Sequence, residues 1–348
     1  MTPRDTNLLR DVRHEIDAMV RRGRMIVAGP WLGEVGFEAL YWIPFLHWVM
    51  EIWALSPDRM VAVSRGGVRA WYAGVASRYV EMWEEIPLDA FLQGNASRGR
   101  RKQLERVAFD KAILERVWRR LGTRDADVLH PSLMYRVRAW KQPPAVWGAD
   151  APFRFRPVPR AEPVIDRALL PPSYVAMKFY KGDCLPPVPP VYRALRERVI
   201  ATARSSPVVV LDTGLDLRDG HGDYTFDDVP GVISARPWLH LQNNLGAQSQ
   251  IVAGASAFVG PCGGITWIAP RLGVDTTALC VQDAPRALPH VAHALAAYQA
   301  GGRFRAQDPV TGAALVSGAR VPTRPVRHPG YQKTRRNIRP RAYAGARA

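Results

Sequence analysis

Short apolar runs, each closed by a turn and followed by a stretch with helical spacing, recur in two series along this chain of 348 residues. This alternation constrains the fold most, because a strand, a helix and a returning strand lie parallel, and a parallel sheet must be covered on both faces. In the first series Leu8, Leu9, Val12, Ile16, Met19 and Val20 recur at helical spacing, and Gly23 follows as the cap. M-I-V-A-G (25–29) reads as a buried strand, Phe37 to Leu55 as a long apolar helix kinked at Pro44, M-V-A-V-S (60–64) as a second strand and 67–77 as a helix. A strand around Tyr79–Trp83, a basic helix over 101–121 and a short strand at Asp127–Leu129 complete it. In the second series the strands are 174–180, 208–213, 231–235, 257–260 and 276–281, with helices over 190–204, 239–255, 263–273 and 284–299. Prolines 143, 144, 152, 157, 159, 163, 171 and 172 cluster between the two series, where periodicity disappears.

The expected organisation is therefore α/β with two parallel-sheet lobes: residues 1–140, a Pro-rich linker 141–173, a second lobe 174–301 and a basic tail 302–348. The length favours two domains over one, since single domains usually run about 100–200 residues. Ligands of such sheets sit at the carboxyl ends of the strands, here facing a cleft between the lobes. Periodicity fades beyond Gly301, and 319–348 is expected to be mobile or laid over the surface.

The net charge of +17 suggests nucleic acid until its distribution is followed. From Arg303 to Ala348 eleven basic residues face Asp308 as the only acid, so the tail carries +10 of the +17. Nucleic acid is thus not the expected partner; a peripheral contact of 319–348 with an anionic membrane surface fits better. The polar start M-T-P-R-D-T-N and the lack of an 18-residue apolar run point to a cytoplasmic protein. Cys184, Cys262 and Cys280 are odd in number and far apart in the chain, matching neither a disulfide framework nor a zinc pattern.

Two loops draw attention to the cleft. After strand 25–29 comes G-P-W-L-G-E-V-G-F-E, with Glu34 at the mouth of the long helix. Flanked by Gly33 and Gly36, that carboxylate fits a general base, or else a helix cap; Glu38 fits a cap or a packing residue. After strand 257–260 comes P-C-G-G-I-T-W, where Gly263, Gly264, Ile265 and Thr266 would open a helix whose free N–H groups can hold a phosphate. Arg65, in S-R-G-G-V-R, fits an anion clamp or an exposed turn arginine. Lys178 and Lys181, two of the few lysines, bracket the end of strand 174–180 and fit stabilisers of a diphosphate leaving group or solvated strand-end charges. Asp212 and Thr213 close strand 208–213 at the cleft. The acidic segment running through Asp216, Asp219, Asp223, Asp227 and Asp228 lacks calcium-loop spacing, so no metal is expected; His221, His240, His290 and His293 read as surface or packing histidines. No nucleophile elbow, HExxH, Walker loop or GxGxxG occurs.

With both Gly-rich loops placed, the chain resembles the GT-B glycosyltransferases, built from two Rossmann-like domains facing a cleft. Within them it is most similar to the lipopolysaccharide heptosyltransferase group. In that group a Gly-Asp loop after the first strand supplies the base, and Gly33-Glu34-Val35 occupies that place. The group's second motif is a strand, Gly-x-Asp-Ser-Gly, two residues, His, and a helix ending in Leu-Gly. The matching stretch is V-G-P-C-G-G-I-T-W-I-A-P-R-L-G, with Cys262 for the Asp, Gly263 for the Ser and Trp267 for the His. The polar departures imply a sugar nucleotide other than the heptose donor. G-E-x-G-F-E is similar to the loop of fucosyltransferase-like GT-B proteins, so a GDP-linked or UDP-linked donor is open. The resemblance implies transfer of a sugar from a nucleotide-sugar donor to a glycan or lipid-linked acceptor, inverting, without cofactor or metal. The alternatives are a sugar-nucleotide epimerase on the same fold, or a non-enzymatic anion-binding protein using its basic tail.

Overall fold

The computed structural model describes residues 2–99, 102–159, 163–215, 222–284, 286–298 and 303–315. The first lobe runs α1 (Pro3–Arg21), β1 (Met25–Ala28), α2 (Val35–Phe37), α3 (Ile43–Ile52), β2 (Met60–Ser64), β3 (Arg78–Glu81), α4 (Met82–Glu85), α5 (Leu88–Arg98), α6 (Ala108–Leu121), β4 (Ala126–Leu129) and α7 (Ser132–Val137). The second runs β5 (Val175–Met177), α8 (Pro189–Ala203), β6 (Val208–Val210), β7 (Val232–Ser234), α9 (Asn244–Gly254), β8 (Ala257–Pro261), β9 (Asp275–Leu279), α10 (Leu288–Tyr298) and β10 (Phe304–Gln307).

Both sheets are wholly parallel. The first has the order β3-β2-β1-β4 and the second β10-β9-β8-β5-β6-β7. Numbered within its own lobe, the second sheet is 3-2-1-4-5-6, the doubly wound Rossmann order, and the first is its opening half, 3-2-1-4. In each sheet the winding reverses beside the lobe's first strand, between β1 and β4 and between β5 and β8. That reversal leaves a crevice at the carboxyl ends, because the connections on its two sides leave in opposite directions.

Local chemistry sets the element starts. Thr2 caps α1: its Oγ accepts from Asp5 N–H at 3.3 Å while Asp5 accepts from Thr2 N–H at 3.2 Å, with Pro3 in the first turn. Asp110 accepts from Val107 N–H at 2.8 Å and so starts α6 at residue 108, seven residues after the predicted start. The predicted helix 37–55 is interrupted. Glu38–Trp42 form a π turn, closed by Ile43 N–H to Glu38 C=O, and Pro44 then sits in the first turn of α3, where it breaks no hydrogen bond.

Three other sequence expectations are corrected. The helix expected over 67–77 is a 3₁₀ turn, Arg69–Tyr72, and the helix expected over 263–273 is a pair of 3₁₀ turns, Gly264–Trp267 and Ala269–Leu272. Pro270 and the glycines at 263, 264 and 273 leave too few residues between breakers for an α-helix to nucleate. The region expected to begin the tail instead supplies a sixth strand, β10, whose Phe304 and Ala306 side chains are buried. In the Pro-rich segment 141–173, Trp147, Phe153, Val158, Ile165 and Leu170 join the core. Residues 316–348, which hold the expected membrane-contacting segment, lie outside the described residues.

The lobes meet over the 66–67 turn and α9. Gly246 N–H donates to Gly66 C=O at 2.8 Å, Trp71 Nε1 donates to Ser249 Oγ at 2.9 Å, and a Cβ on Gly246 would lie 2.5 Å from Gly67 O. Substituting Gly246→Ala should therefore push α9 off the first lobe and lower stability by about 1–3 kcal/mol in urea titrations. An unchanged midpoint would show that the lobes do not depend on this contact.

Candidate functional site

The loop after β1 is held in place by buried side chains on all sides. Arg65 donates through Nη1 to Trp31 C=O at 2.9 Å and through Nη2 to Gly33 C=O at 2.6 Å. Gln103, fully buried, accepts from Leu32 N–H and donates to Pro30 C=O, each at 2.8 Å, and Asp110 accepts from its Nε2 at 3.1 Å. Sequence reasoning missed Gln103 and Asp110, because nothing in their neighbourhood marks them; Gln103, held by Asp110, comes from 71 residues beyond Leu32 to replace backbone partners that an irregular loop lacks. Arg65 is placed in the site but as a bracket for the loop, its guanidinium occupied by two carbonyls and stacked 5.4 Å over the Phe91 ring.

What this frame presents is Glu34, half-buried at the N-cap of α2, with no side-chain cap hydrogen bond. The capping role is thus not taken up by its side chain. Its charge acts on Lys102, whose ammonium lies 4.3 Å from the Phe37 ring centre and 4.0 Å from that of Trp140. Burial lowers the Lys102 pKa and the Glu34 carboxylate opposes that shift. Lys102 went unnoticed in the sequence because its aromatic partners are distant in the chain.

Behind this loop lie two buried carboxylates. Glu38 is fully buried in the π turn and accepts from Ser64 Oγ and, at 2.6 Å, from Tyr72 OH; its Oε2 has no partner among the described residues. Burial pushes its pKa up to about 7 against the pull of Arg65, Ser64 and Tyr72. Glu81 accepts from the N–H groups of Gly66 at 3.0 Å and Gly67 at 2.8 Å. The Arg-Gly-Gly turn thus does form an anion cradle, but an internal carboxylate fills it.

In the second lobe the predicted residues gather at the carboxyl ends of β5 and β6. Lys178 Nζ donates to Leu211 C=O at 2.7 Å and meets Asp223 at 3.3 Å, while Asp223 also accepts from Thr213 N–H at 2.7 Å and its hydroxyl at 3.0 Å. Asp212, buried, accepts from Ser234 Oγ and from the half-exposed Arg236, each at 2.6 Å. Arg236 was missed because one arginine among so many carries no signal. Lys181 is brought near but stands apart, exposed, its ammonium 5.7 Å from the Tyr224 ring centre. Asp216, Asp219 and His221 lie outside the described residues.

The Gly263–Gly264 turn follows β8, beside the β5–β8 crevice. It is not the expected helix N-terminus, and Ile265 and Thr266 are buried with their side chains turned away from solvent. Its conformation still demands glycine: φ is +53° at Gly264, and a Cβ on Gly263 would lie 2.5 Å from the Tyr180 hydroxyl. The turn faces the other lobe. A Cβ on Gly36 would lie 3.0 Å from Gly264 N and 3.4 Å from Trp267 Nε1, so the two loops singled out by sequence touch each other. Nearby, Tyr41 OH and His290 Nδ1 are 2.7 Å apart. His290 and His293 are packing groups, as expected, with burial lowering their pKa values to about 3 and about 4.

Two surface depressions, of about 420 and 540 Å³, lie elsewhere, at the amino ends of β6 and β7 around Pro207 and Gly231, and along α8 around Arg198. No helix among the described residues is long and apolar enough to cross a membrane.

No protein-family model matches the chain, and no curated protein matches it. Among solved structures it is similar to the glycosyl transferase family 9 protein from Veillonella parvula, at 11% identity over 73% of this chain and 79% of that one, TM-score 0.40. It is similar to the iron-containing dodecameric glycosyltransferase TibC from enterotoxigenic E. coli, at 10% identity over 73% and 58%, TM-score 0.38. It is also similar to the E. coli heptosyltransferase WaaC, solved with ADP, at 12% identity over 73% and 86%, TM-score 0.31.

Because the folded pKa of Glu38 is raised from 4.5 to about 7, its contribution to stability is present below pH 4.5 and lost as pH rises through 7. Glu38→Gln mimics the protonated form. The variant should gain up to about 3 kcal/mol over wild type at pH 8 in urea titrations, a gain that vanishes near pH 4.5. A gain independent of pH would contradict the assignment.

Proposed function

We propose that this protein is a glycosyltransferase that moves a sugar from a nucleotide-sugar donor to a glycan or lipid-linked acceptor hydroxyl, with inversion. The observation that carries the reading is the contact of Gly36 with Gly264, which sets Glu34 on the first lobe against the β5–β8 crevice of the second. Doubly wound sheets bind nucleotides at such a crevice, and a carboxylate across from it is placed to take a proton from the attacking hydroxyl.

In this reading Glu34 deprotonates the acceptor hydroxyl as its oxygen attacks the anomeric carbon, and the bond from that carbon to the diphosphate oxygen breaks. The negative charge then grows on the diphosphate. Backbone N–H groups at 263–265 and the ammonium of Lys178 neutralise it, Lys178 exchanging part of its contact with Asp223 for phosphate. Thr213 and Asp212, at the end of the lobe's second strand, stand where a doubly wound sheet meets the ribose. Arg65, Gln103 and Asp110 act as positioning residues that fix the height of Glu34 above the seam. With Gly36 against Gly264 the seam is shut, so the donor enters when the lobes part and the reaction is sealed from water when they close.

Titration calorimetry with UDP, GDP, ADP and CMP should show one nucleoside diphosphate binding in the micromolar range, and silence toward all four removes the reading. With the cognate donor, Glu34→Gln should keep donor affinity while turnover falls about 100-fold or more. Turnover equal to wild type would end the base assignment. Gly36→Ala should leave nucleotide affinity within about threefold while turnover drops at least tenfold, because the added methyl holds the lobes apart.

A further inference from the structure

The three cysteines, dispersed in sequence, are brought together by the fold. Cys262 is the residue after β8 and Cys280 the residue after β9, while Cys184 lies in the loop leaving β5; these are three adjacent strands whose carboxyl ends share one edge. Any one sulfur of Cys184, Cys262 and Cys280 lies within 4.8 Å of the other two, and all three residues are at least nine-tenths buried. The parallel sheet thus brings together residues whose spacing in the chain matches neither a disulfide framework nor a zinc pattern.

The convergence is fixed by main chain, not by the chance lie of side chains. Cys262 N–H donates to Leu279 C=O at 3.0 Å, Cys280 N–H to Gln307 C=O at 3.1 Å, and Val281 N–H to Cys184 C=O at 3.0 Å. Cys262 and Cys184 are thus each tied to a residue beside Cys280, and Cys280 is tied to β10. Packing alone would be met as well by Ala or Val at these places. Three sulfurs on three separately anchored loops are a donor set, soft and matched to a thiophilic cation.

We propose that Cys184, Cys262 and Cys280 hold a thiophilic d¹⁰ cation, Zn²⁺ in the first instance, directly behind the Gly263–Gly264 turn. At a Zn–S distance of about 2.3 Å, tetrahedral geometry sets sulfurs about 3.8 Å apart, so the widest pair needs to close by only about 1 Å. A disulfide would use two sulfurs at about 2.0 Å and strand the third in the core. Three protein thiolates leave one coordination position for water or an exogenous ligand. The cation would pin the loops leaving β5, β8 and β9 to one another and so stiffen the turn that meets Gly36. The inference does not depend on the glycosyl-transfer reading, and the experiment below does not measure transfer.

The full chain, reduced and stripped with chelator, is titrated with Co²⁺. The account expects one equivalent bound per chain, with the near-ultraviolet thiolate-to-cobalt band that histidine or carboxylate sites do not give, displaced by one equivalent of Zn²⁺. Zn²⁺ should raise the melting midpoint and chelator should lower it. Cys280→Ser and Cys184→Ser should each weaken Co²⁺ binding beyond the about 10–100-fold cost of disturbing a second-shell partner. The proposal is overturned by reduced wild-type protein with no thiolate band, by a band that survives in both serine variants, or by a disulfide between two of the three with no metal uptake. Because the wild-type titration alone decides the first outcome, a variant that fails to fold does not shield the proposal.

Discussion

The contact of Gly36 with Gly264 is the interaction on which the rest of the candidate site depends. It brings backbone to backbone across the two sheets, and it needs a glycine at 36, since a Cβ there would come within 3.0 Å of Gly264 N. Two irregular loops cannot make such an approach unless each is rigid, since an approach this close has no slack. The chain supplies that rigidity in two different ways. In the first lobe buried polar side chains, Arg65, Gln103 and Asp110, replace the partners that the loop backbone lacks. In the second, the turn is bounded by glycines and by three buried thiols that converge on it.

Electrostatics follow from the same arrangement. Carboxylates that might have faced a ligand have been drawn inside: Glu81 fills the Gly66–Gly67 cradle and Glu38 sits sealed in the π turn with its pKa raised. Glu34 is the carboxylate left at the seam, near a lysine held on aromatic faces. Across from it the ends of β5 and β6 are occupied by compact ion pairs, Lys178 with Asp223 and Arg236 with Asp212. Such pairs cost little to rearrange when half-exposed, as Arg236 is, and can give up a partner to a phosphate.

Much of this was legible in the sequence, for reasons that differ by element. Strands were legible because a parallel strand buried on both faces must be a continuous apolar run, as Val208–Val210 and the Met60–Val63 part of β2 are. The two loops were legible because glycine beside a turn needs a backbone reason: at Gly36 it is the approach to Gly264 N, and at Gly264 a φ of +53°. Helices between breakers were not: 263–273 and 67–77 read as helical from apolar spacing, yet Pro270 and the Gly-Gly steps leave only single 3₁₀ turns. The bracket formed by Gln103 and Asp110, the filling of the Gly66–Gly67 cradle by Glu81 and the meeting of the three cysteines were invisible, because each joins residues that only the winding of the sheets brings together. β10 was hidden by the basic residues around it, although Phe304 and Ala306 alternate as a strand should.

The central claim is that a nucleotide-linked sugar lies in the β5–β8 crevice with its reactive end toward Glu34. A crystal structure of the chain with whichever of UDP, GDP or ADP it binds tests this most directly. The account predicts the diphosphate against residues 263–266 and within hydrogen-bond reach of Lys178, on the side of the second lobe that faces Gly36. A diphosphate bound at the amino ends of β6 and β7, in the depression around Pro207 and Gly231, would contradict it.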